Sequence, residues 1–183
     1  MNDLRQRFAS DDVGVFCAYF NFKEEQVQTI PNILASICAQ SMNIQPSVSE
    51  MVKSCYISMS KTKDRPDQSF IQDLVQAEIR QYKGVFIVID ALDECSDENN
   101  TRGFLLDALQ KLPVNVQLLL TSRRSINILQ HFPDCKNLAV SAHNEDVKHY
   151  VKSRLPHLDD FVKRDPILQE DIINGIAETA DGR

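Results

Sequence analysis

Residues 85–94 read VFIVIDALDE, and this stretch decides the fold class of the chain. Five consecutive apolar residues precede Asp90, which is too short a run for a helix and predicts a strand buried on both faces. A second run, VNVQLLLT at residues 114–121, predicts another buried strand. Segments with helical spacing separate the strands, so we expect an α/β protein with a parallel sheet.

The remaining elements follow the same alternation. Residues 13–22 are β-branched and aromatic and predict the first strand, and residues 137–141 predict a short last strand. Helices are predicted at about 27–42, 47–59, 69–82, 100–112, 145–155 and 167–179 from their apolar spacing.

Length, charge and cysteine content exclude several classes of function. The chain has 183 residues and a net charge of −6, which disfavours general binding to nucleic acid. Its apolar runs are shorter than the roughly 18 residues of a membrane span, so no membrane span is expected. The five cysteines are odd in number and have no CxxC spacing. They predict reduced thiols and a cytoplasmic location.

Three acidic side chains follow the strand at residues 85–90. Ligands of open parallel sheets bind outside the carboxyl ends of the strands, which is where Asp90 would lie. Asp93 and Glu94 come next in the turn, and three close carboxylates favour a cation such as hydrated magnesium. The alternative is an acidic turn in which Ser96 or Asp97 caps the next helix.

Polar side chains also follow the strand at residues 114–121. A hydroxyl of Thr121 or Ser122 can bond a phosphate or its attacking water, and Arg123 can offset phosphate charge. The alternative is a strand end followed by a solvated basic segment. Because one crossover separates the two strands, we expect both polar groups at the same edge of the sheet.

The sequences VIDALDE and LLLTSR resemble the extended Walker B and sensor-one motifs of the NACHT family of STAND nucleoside triphosphatases, especially fungal-type and nephrocystin-like members. Weaker similarities lie at AYFNF (residues 18–22), NILASI (32–37) and EDVKHYV (145–151). The resemblance implies a P-loop NTPase-like three-layer sandwich at residues 1–141 and the start of a helical subdomain at 142–183. It also implies a nucleotide-dependent signalling switch that oligomerises and carries effector and repeat domains in the intact parent.

The resemblance also implies site residues and cofactors. Asp90 would hold Mg²⁺ through water, and Asp93 or Glu94 would position the water that attacks the γ-phosphate. Thr121, Ser122 and Arg123 would sense that phosphate. The cofactors of the intact parent would be Mg²⁺ and ATP or GTP.

One family motif is missing from this sequence. None of the five glycines begins a G-x-x-x-x-G-K-[ST] loop, whose amides and lysine hold the β- and γ-phosphates. Since this loop follows strand 1 in the family order 5-1-4-3-2, strand 1 is expected to be missing as well. The strand at 137–141 would then have lost its neighbour, and it would close directly onto strand 4, stay loosely attached or pair with another chain. An uncovered edge next to the missing strand would favour aggregation. We therefore expect this chain alone to bind ATP weakly or not at all and not to hydrolyse it.

Two other functions fit the sequence. The first is a freestanding protein-interaction module that uses the sheet edge or the acidic turn, with self-association or full-length relatives as partners. The second is a metal-dependent hydrolase that uses Asp90, Asp93 and Glu94 directly. That chemistry needs further ligands from other strand ends, and residues 121–123 supply none.

Overall fold

The computed structural model describes residues 2–8, 12–44, 47–62, 66–123, 128–141 and 143–180. The strands in this part of the chain are β1 (Val13–Tyr19), β2 (Gly84–Asp90) and β3 (Val116–Leu120). The helices are α1 (Asn2–Arg7), α2 (Ile30–Ile44), α3 (Glu50–Thr62), α4 (Gln68–Ile79), α5 (Thr101–Gln110), α6 (Asn144–Arg154), α7 (Asp160–Lys163) and α8 (Pro166–Ala180). Residues Met1–Asp134 and Cys135–Arg183 form two compact units.

The first unit contains a three-stranded open sheet in the order β1-β2-β3, and both strand pairs are parallel. The register places Phe16 beside Ile87 and Ile87 beside Leu118. This arrangement confirms the predicted α/β class and the parallel pairing of the three strands. The P-loop NTPase-like fold, and the place of these three strands in the family order, stay predictions.

One face of the sheet carries the main core of this unit. Phe16, Ile87 and Ile89 are completely buried and pack in one cluster with apolar residues of α2, α4 and α5. On the opposite face, the ring of Phe8 stacks on that of Phe86, with 5.2 Å between the ring centres. The third layer implied by the resemblance stays a prediction.

The polar side chains inside this core make hydrogen bonds, but Oε2 of the buried Glu78 has no partner among the described residues. The hydroxyls of Ser41 and Tyr82 lie 3.2 Å apart, and the Tyr82 hydroxyl also donates to the Ser41 carbonyl oxygen. The fully buried Glu78 accepts the N–H of Ser49 through Oε1. These bonds offset part of the cost of burying polar groups between α2, α3 and α4.

The structure corrects the predicted burial of β2 and β3. In β2, the side chains of Val85, Ile87 and Ile89 are buried, but those of the opposite face are only half-buried. In β3, Gln117 and Leu119 are exposed. These residues face away from the helical layer, where the described chain offers much less cover.

The predicted strand at residues 137–141 is wrong. This segment lies outside the helices and strands of the structure, and the side chains of Leu138 and Val140 are each 83% exposed. Its alternating pattern favours a strand, but a strand also needs a hydrogen-bonded neighbour. None of the described strands pairs with it.

The second unit is helical in its described part. Its small core joins Val151, Leu155, Val162 and Ile173 from α6, the 3₁₀ turn at Leu155–His157, α7 and α8. None of the helices that the structure describes has the length and apolar character needed to cross a lipid bilayer.

Candidate functional site

The structure brings Asp90 and Thr121 together at the carboxyl ends of neighbouring strands. Ile89 lies beside Leu120 in the register, and the Thr121 N–H donates to the Ile89 carbonyl oxygen at 2.9 Å. The Thr121 hydroxyl donates to Oδ1 of Asp90 and accepts the Ala91 N–H at 3.0 Å. A single hydroxyl therefore ties the two strand ends together. We call residues 90–94 and 121–123 the carboxyl rim.

A sharp turn directly after β2 returns the chain to the carboxyl rim. Ala91 has φ 56° and ψ 46°, a left-handed conformation that costs a non-glycine residue about 1–2 kcal/mol. The turn lets Leu92 become completely buried, and the Leu92 N–H donates to the Thr121 carbonyl oxygen at 2.9 Å. Burial of this leucine contributes about 1.5–3 kcal/mol, enough to offset the strain.

Asp93 is paired with Arg123. Its Oδ1 accepts the backbone N–H of Arg123 at 3.2 Å, and its Oδ2 lies 3.2 Å from Nε of the guanidinium. The Asp93 side chain is 15% exposed, whereas that of Arg123 is 83% exposed. The pair therefore holds the carboxylate in place and leaves most of the guanidinium accessible to a ligand.

Glu94 bonds to a different part of the sheet. Its Oε2 accepts the N–H of Phe22 at 3.1 Å, in the 3₁₀ turn that follows β1. The three acidic side chains therefore have three different partners, which reduces their mutual repulsion.

The remaining predicted residues make local bonds. The Ser122 hydroxyl donates to the carbonyl oxygen of Arg123 at 2.9 Å. The Ser96 hydroxyl accepts the Glu98 N–H at 3.2 Å, whereas Asp97 makes no capping bond. Neither residue caps the next helix as the alternative interpretation expected: α5 begins after Asn100, which makes no side-chain capping bond, and the Ser96 bond lies within the preceding turn.

Sequence reasoning missed two contributors to this site. The first is the left-handed turn at Ala91, which the sequence does not mark with a glycine. The second is the backbone N–H of Phe22, which lies 72 residues before Glu94 in the sequence. The isolated apolar Leu92 between acidic residues was the available signal, because such a residue indicates that the turn is anchored in the core.

The carboxyl rim offers few ligands for a metal ion. Among the described residues, no group of three or more His, Cys, Asp or Glu side chains is arranged to hold a metal ion. Asp90 could supply one oxygen ligand to a hydrated Mg²⁺, which keeps most of its waters in such sites. The structure therefore gives no support to a hydrolase that binds metal directly through several carboxylates.

The cysteine next to this turn is not an activated nucleophile. Burial raises the pKa of Cys95 to about 11, with the nearby Arg102 acting in the opposite direction. Burial likewise raises the pKa of Cys38, in α2, to about 11. Both thiols are protonated at neutral pH, and thiolate chemistry at either position is disfavoured.

Comparison with known proteins gives one family. No curated protein and no solved structure matches the chain. A family model described as Nephrocystin 3, N-terminal, matches residues 1–123. The match covers the whole sheet and ends at Arg123, so it includes every residue of the carboxyl rim. The chain belongs to the nephrocystin 3 N-terminal family.

Proposed function

We propose that this chain is part of a nucleotide-dependent signalling switch and carries the magnesium and sensor side of its nucleotide site. The observation that carries this proposal is the hydrogen bond between the Thr121 hydroxyl and the Asp90 carboxylate. This bond supports the proposal because a carboxylate, the kind of group that binds magnesium, meets a hydroxyl at the end of the sheet where ligands of parallel α/β proteins bind.

In this proposal, Asp90 contributes one carboxylate oxygen to a hydrated magnesium ion. Thr121 holds that carboxylate in position, because its hydroxyl is itself fixed by the Ala91 N–H. Bound magnesium would screen the negative charge of the triphosphate.

The other residues of the carboxyl rim would act on the γ-phosphate. Arg123 is suited to contact it, since most of its guanidinium is exposed while its backbone is tied to Asp93. Asp93 or Glu94 would position the attacking water: both oxygens of Asp93 already contact Arg123, whereas Glu94 accepts the Phe22 N–H through Oε2. The Ser122 hydroxyl would have to leave the Arg123 carbonyl oxygen before it could contact phosphate.

The proposal includes weak binding by this chain alone. Its sequence contains no glycine-lysine loop, so the described site lacks the backbone amides and ammonium group that hold the β- and γ-phosphates in such switches. Micromolar affinity for Mg-ATP would therefore contradict the proposal.

The test uses the ¹⁵N-labelled chain and Mn²⁺, which replaces Mg²⁺ and broadens nearby NMR signals. Millimolar Mn-ATP is expected to broaden the amides of residues 91–94 and 121–123 before others. Asp90→Asn should abolish this selectivity, because the amide keeps the acceptor for Thr121 but loses the charge. Asp160→Asn, an exposed carboxylate in the second unit, should leave it unchanged. Equal broadening in the Asp90→Asn variant, or with Mn²⁺ alone, would refute the proposed site.

A further inference from the structure

Two cysteines and one methionine belong to the same core cluster of the first unit. Cys55 and Met59 are four residues apart in α3 and therefore lie on the same face of that helix. The Cys55 thiol donates to Sδ of Met59 at 3.5 Å. Cys38, in α2, is buried in the same cluster. We call Cys38, Cys55 and Met59 the sulfur cluster.

Cys38 lies within electrostatic range of Cys55 and of Glu78, a residue of α4. Burial, followed by the charges of Glu78 and Cys55, raises the pKa of Cys38 to about 11. Charges shift the pKa of a neighbouring group chiefly within about 4–6 Å. Side chains of α2, α3 and α4 therefore converge at this point of the core.

Glu78 brings a buried oxygen without a partner to the same place. Its side chain is completely buried, and its Oε1 accepts the Ser49 N–H at 3.0 Å. Its Oε2 has no hydrogen-bond partner among the described residues. A buried carboxylate oxygen without a donor is costly, and a positive charge beside it removes part of that cost. This oxygen therefore points to a cation, independently of the sulfur atoms.

Two other cysteines contact oxygen atoms instead of sulfur. On the outer edge of β1, the side-chain amide of Gln40 accepts the N–H of Cys17 at 3.0 Å and donates to its carbonyl oxygen at 2.7 Å. The Cys17 thiol lies 3.7 Å from Oε1 of the same side chain. The thiol of Cys95 lies 3.8 Å from the carbonyl oxygen of Ser96. Neither thiol has the surroundings of the sulfur cluster.

We propose that the sulfur cluster binds one copper(I) ion through Sγ of Cys38, Sγ of Cys55 and Sδ of Met59. Thiolate and thioether sulfur are the ligands that select soft metal ions. A metal–sulfur bond is about 2.3 Å long, so two sulfur atoms 3.5 Å apart can bind the same ion. This inference does not depend on nucleotide binding.

The ligand set distinguishes copper(I) from zinc. Zinc sites in proteins are built from several Cys, His, Asp or Glu side chains, and structural sites use four of them. In the described part of the chain, no three such side chains are grouped to hold a metal ion. Copper(I) needs fewer ligands and accepts a methionine thioether, so the sulfur cluster suits copper(I) and not zinc.

Binding leaves the buried charge unchanged. Copper(I) replaces the protons of both thiols, of which one passes to Oε2 of Glu78 and the other to solvent. Two thiols and the Glu78 carboxylate carry one negative charge before binding. Two thiolates, one copper(I) ion and a protonated Glu78 carry the same charge afterwards. The exchange therefore avoids the cost of burying an additional charge.

Competition with bicinchoninate, a coloured chelator of copper(I), tests the proposal on the 183-residue chain in the absence of oxygen. We expect the folded chain to remove one equivalent of copper(I) from the chelator. X-ray absorption at the copper edge should show three sulfur neighbours at about 2.3 Å and no oxygen or nitrogen.

A set of variants identifies the ligands. Cys38→Ser and Cys55→Ser should each weaken copper binding more than about a hundredfold, since loss of a group that only supports a ligand already costs about 10–100-fold. Cys95→Ser removes another buried thiol whose pKa is also raised to about 11, and should leave the affinity unchanged. Met59→Leu preserves the core volume, and should weaken binding about tenfold and leave two sulfur neighbours. Far-UV circular dichroism checks that each variant folds.

Any of four results would overturn the proposal. The first is a wild-type chain that takes no copper(I) from bicinchoninate. The second is unchanged affinity in Cys38→Ser or Cys55→Ser, because the ligands would then lie elsewhere. The third is an equal loss of affinity in Cys95→Ser, which would mean that the thiols bind copper without a defined site. The fourth is the same sulfur count in Met59→Leu as in the wild type, a result that stands even if the serine variants do not fold.

Discussion

Replacing Thr121 by valine removes one hydroxyl and keeps the shape of the side chain. The hydroxyl donates to the carboxylate of Asp90 and accepts the Ala91 N–H at 3.0 Å. A hydrogen bond to a charged group contributes about 1.5–3 kcal/mol and a neutral one about 0.5–1.5 kcal/mol. Because Thr121 is exposed and water can replace both partners, we expect the variant to lose about 1–2 kcal/mol in the free energy of unfolding.

Urea unfolding measures this loss. The chain has no tryptophan, but Tyr82 is buried in the same unit as Thr121, and its fluorescence reports on the unfolding of that unit. Thr121→Val should lower the urea midpoint without changing the slope, and Thr121→Ser, which keeps the hydroxyl, should recover most of the loss. If valine and serine variants are equally stable, or if valine costs nothing, the hydroxyl does not link the two strands.

Three further predictions concern stability. Arg123→Ala should change the free energy of unfolding by less than about 0.5 kcal/mol in urea titrations, because water screens its ion pair with Asp93. Stability should fall as pH rises from 9.0 towards 11, because burial raises the pKa of Cys38 and Cys95 to about 11 and the unfolded thiols release protons first. Thermal midpoints of Cys38→Ala should fall less steeply over that range. Asp67→Ala should lower the thermal midpoint at pH 7, because Asp67 accepts the Phe70 N–H at 2.8 Å at the start of α4.

The pH dependence of the last variant provides its control. Hydrogen bonds from the first turn of α4, chiefly from the Phe70 N–H, lower the pKa of Asp67 from 3.8. The stabilisation is therefore complete above pH 3.8 and is lost as pH falls through the lower value of the folded state. The Asp67→Ala variant should accordingly approach the wild type in acid, and a difference that stays constant down to pH 2 would contradict a charged cap.

For Arg123→Ala, a loss of more than about 1 kcal/mol in the free energy of unfolding would show that its ion pair with Asp93 stabilises the fold. Equal alkaline slopes with and without Cys38 would exclude that thiol as a source of the pH dependence.

The sheet and the position of Asp90 could be predicted because they depend on local patterns. Five apolar residues ending in Asp90, and a second run ending in Thr121, indicate strands whose polar ends meet in a parallel sheet. Residues 137–141 show a similar local pattern but form no strand, since strand formation also depends on a neighbour that local sequence does not reveal.

Partners across the site could not be predicted for a related reason. The bond between Glu94 and the Phe22 N–H joins residues far apart in sequence, and the backbone donor could belong to any residue type. A left-handed turn is usually marked by a glycine in the sequence, but here the residue in that conformation is Ala91. The exposure of Gln117 and Leu119 depends on which elements cover the sheet, and the composition of β3 does not specify that.

The glutamine amide that occupies the backbone groups of Cys17 also sets a limit on assembly. A sheet whose two borders both accepted strands could add copies indefinitely and grow into a fibre. Here Gln40 occupies the outward N–H and carbonyl oxygen of Cys17, which hinders the pairing of another strand with the outer edge of β1. Exchanging this glutamine for a residue without an amide would free those backbone groups and remove one protection against such growth.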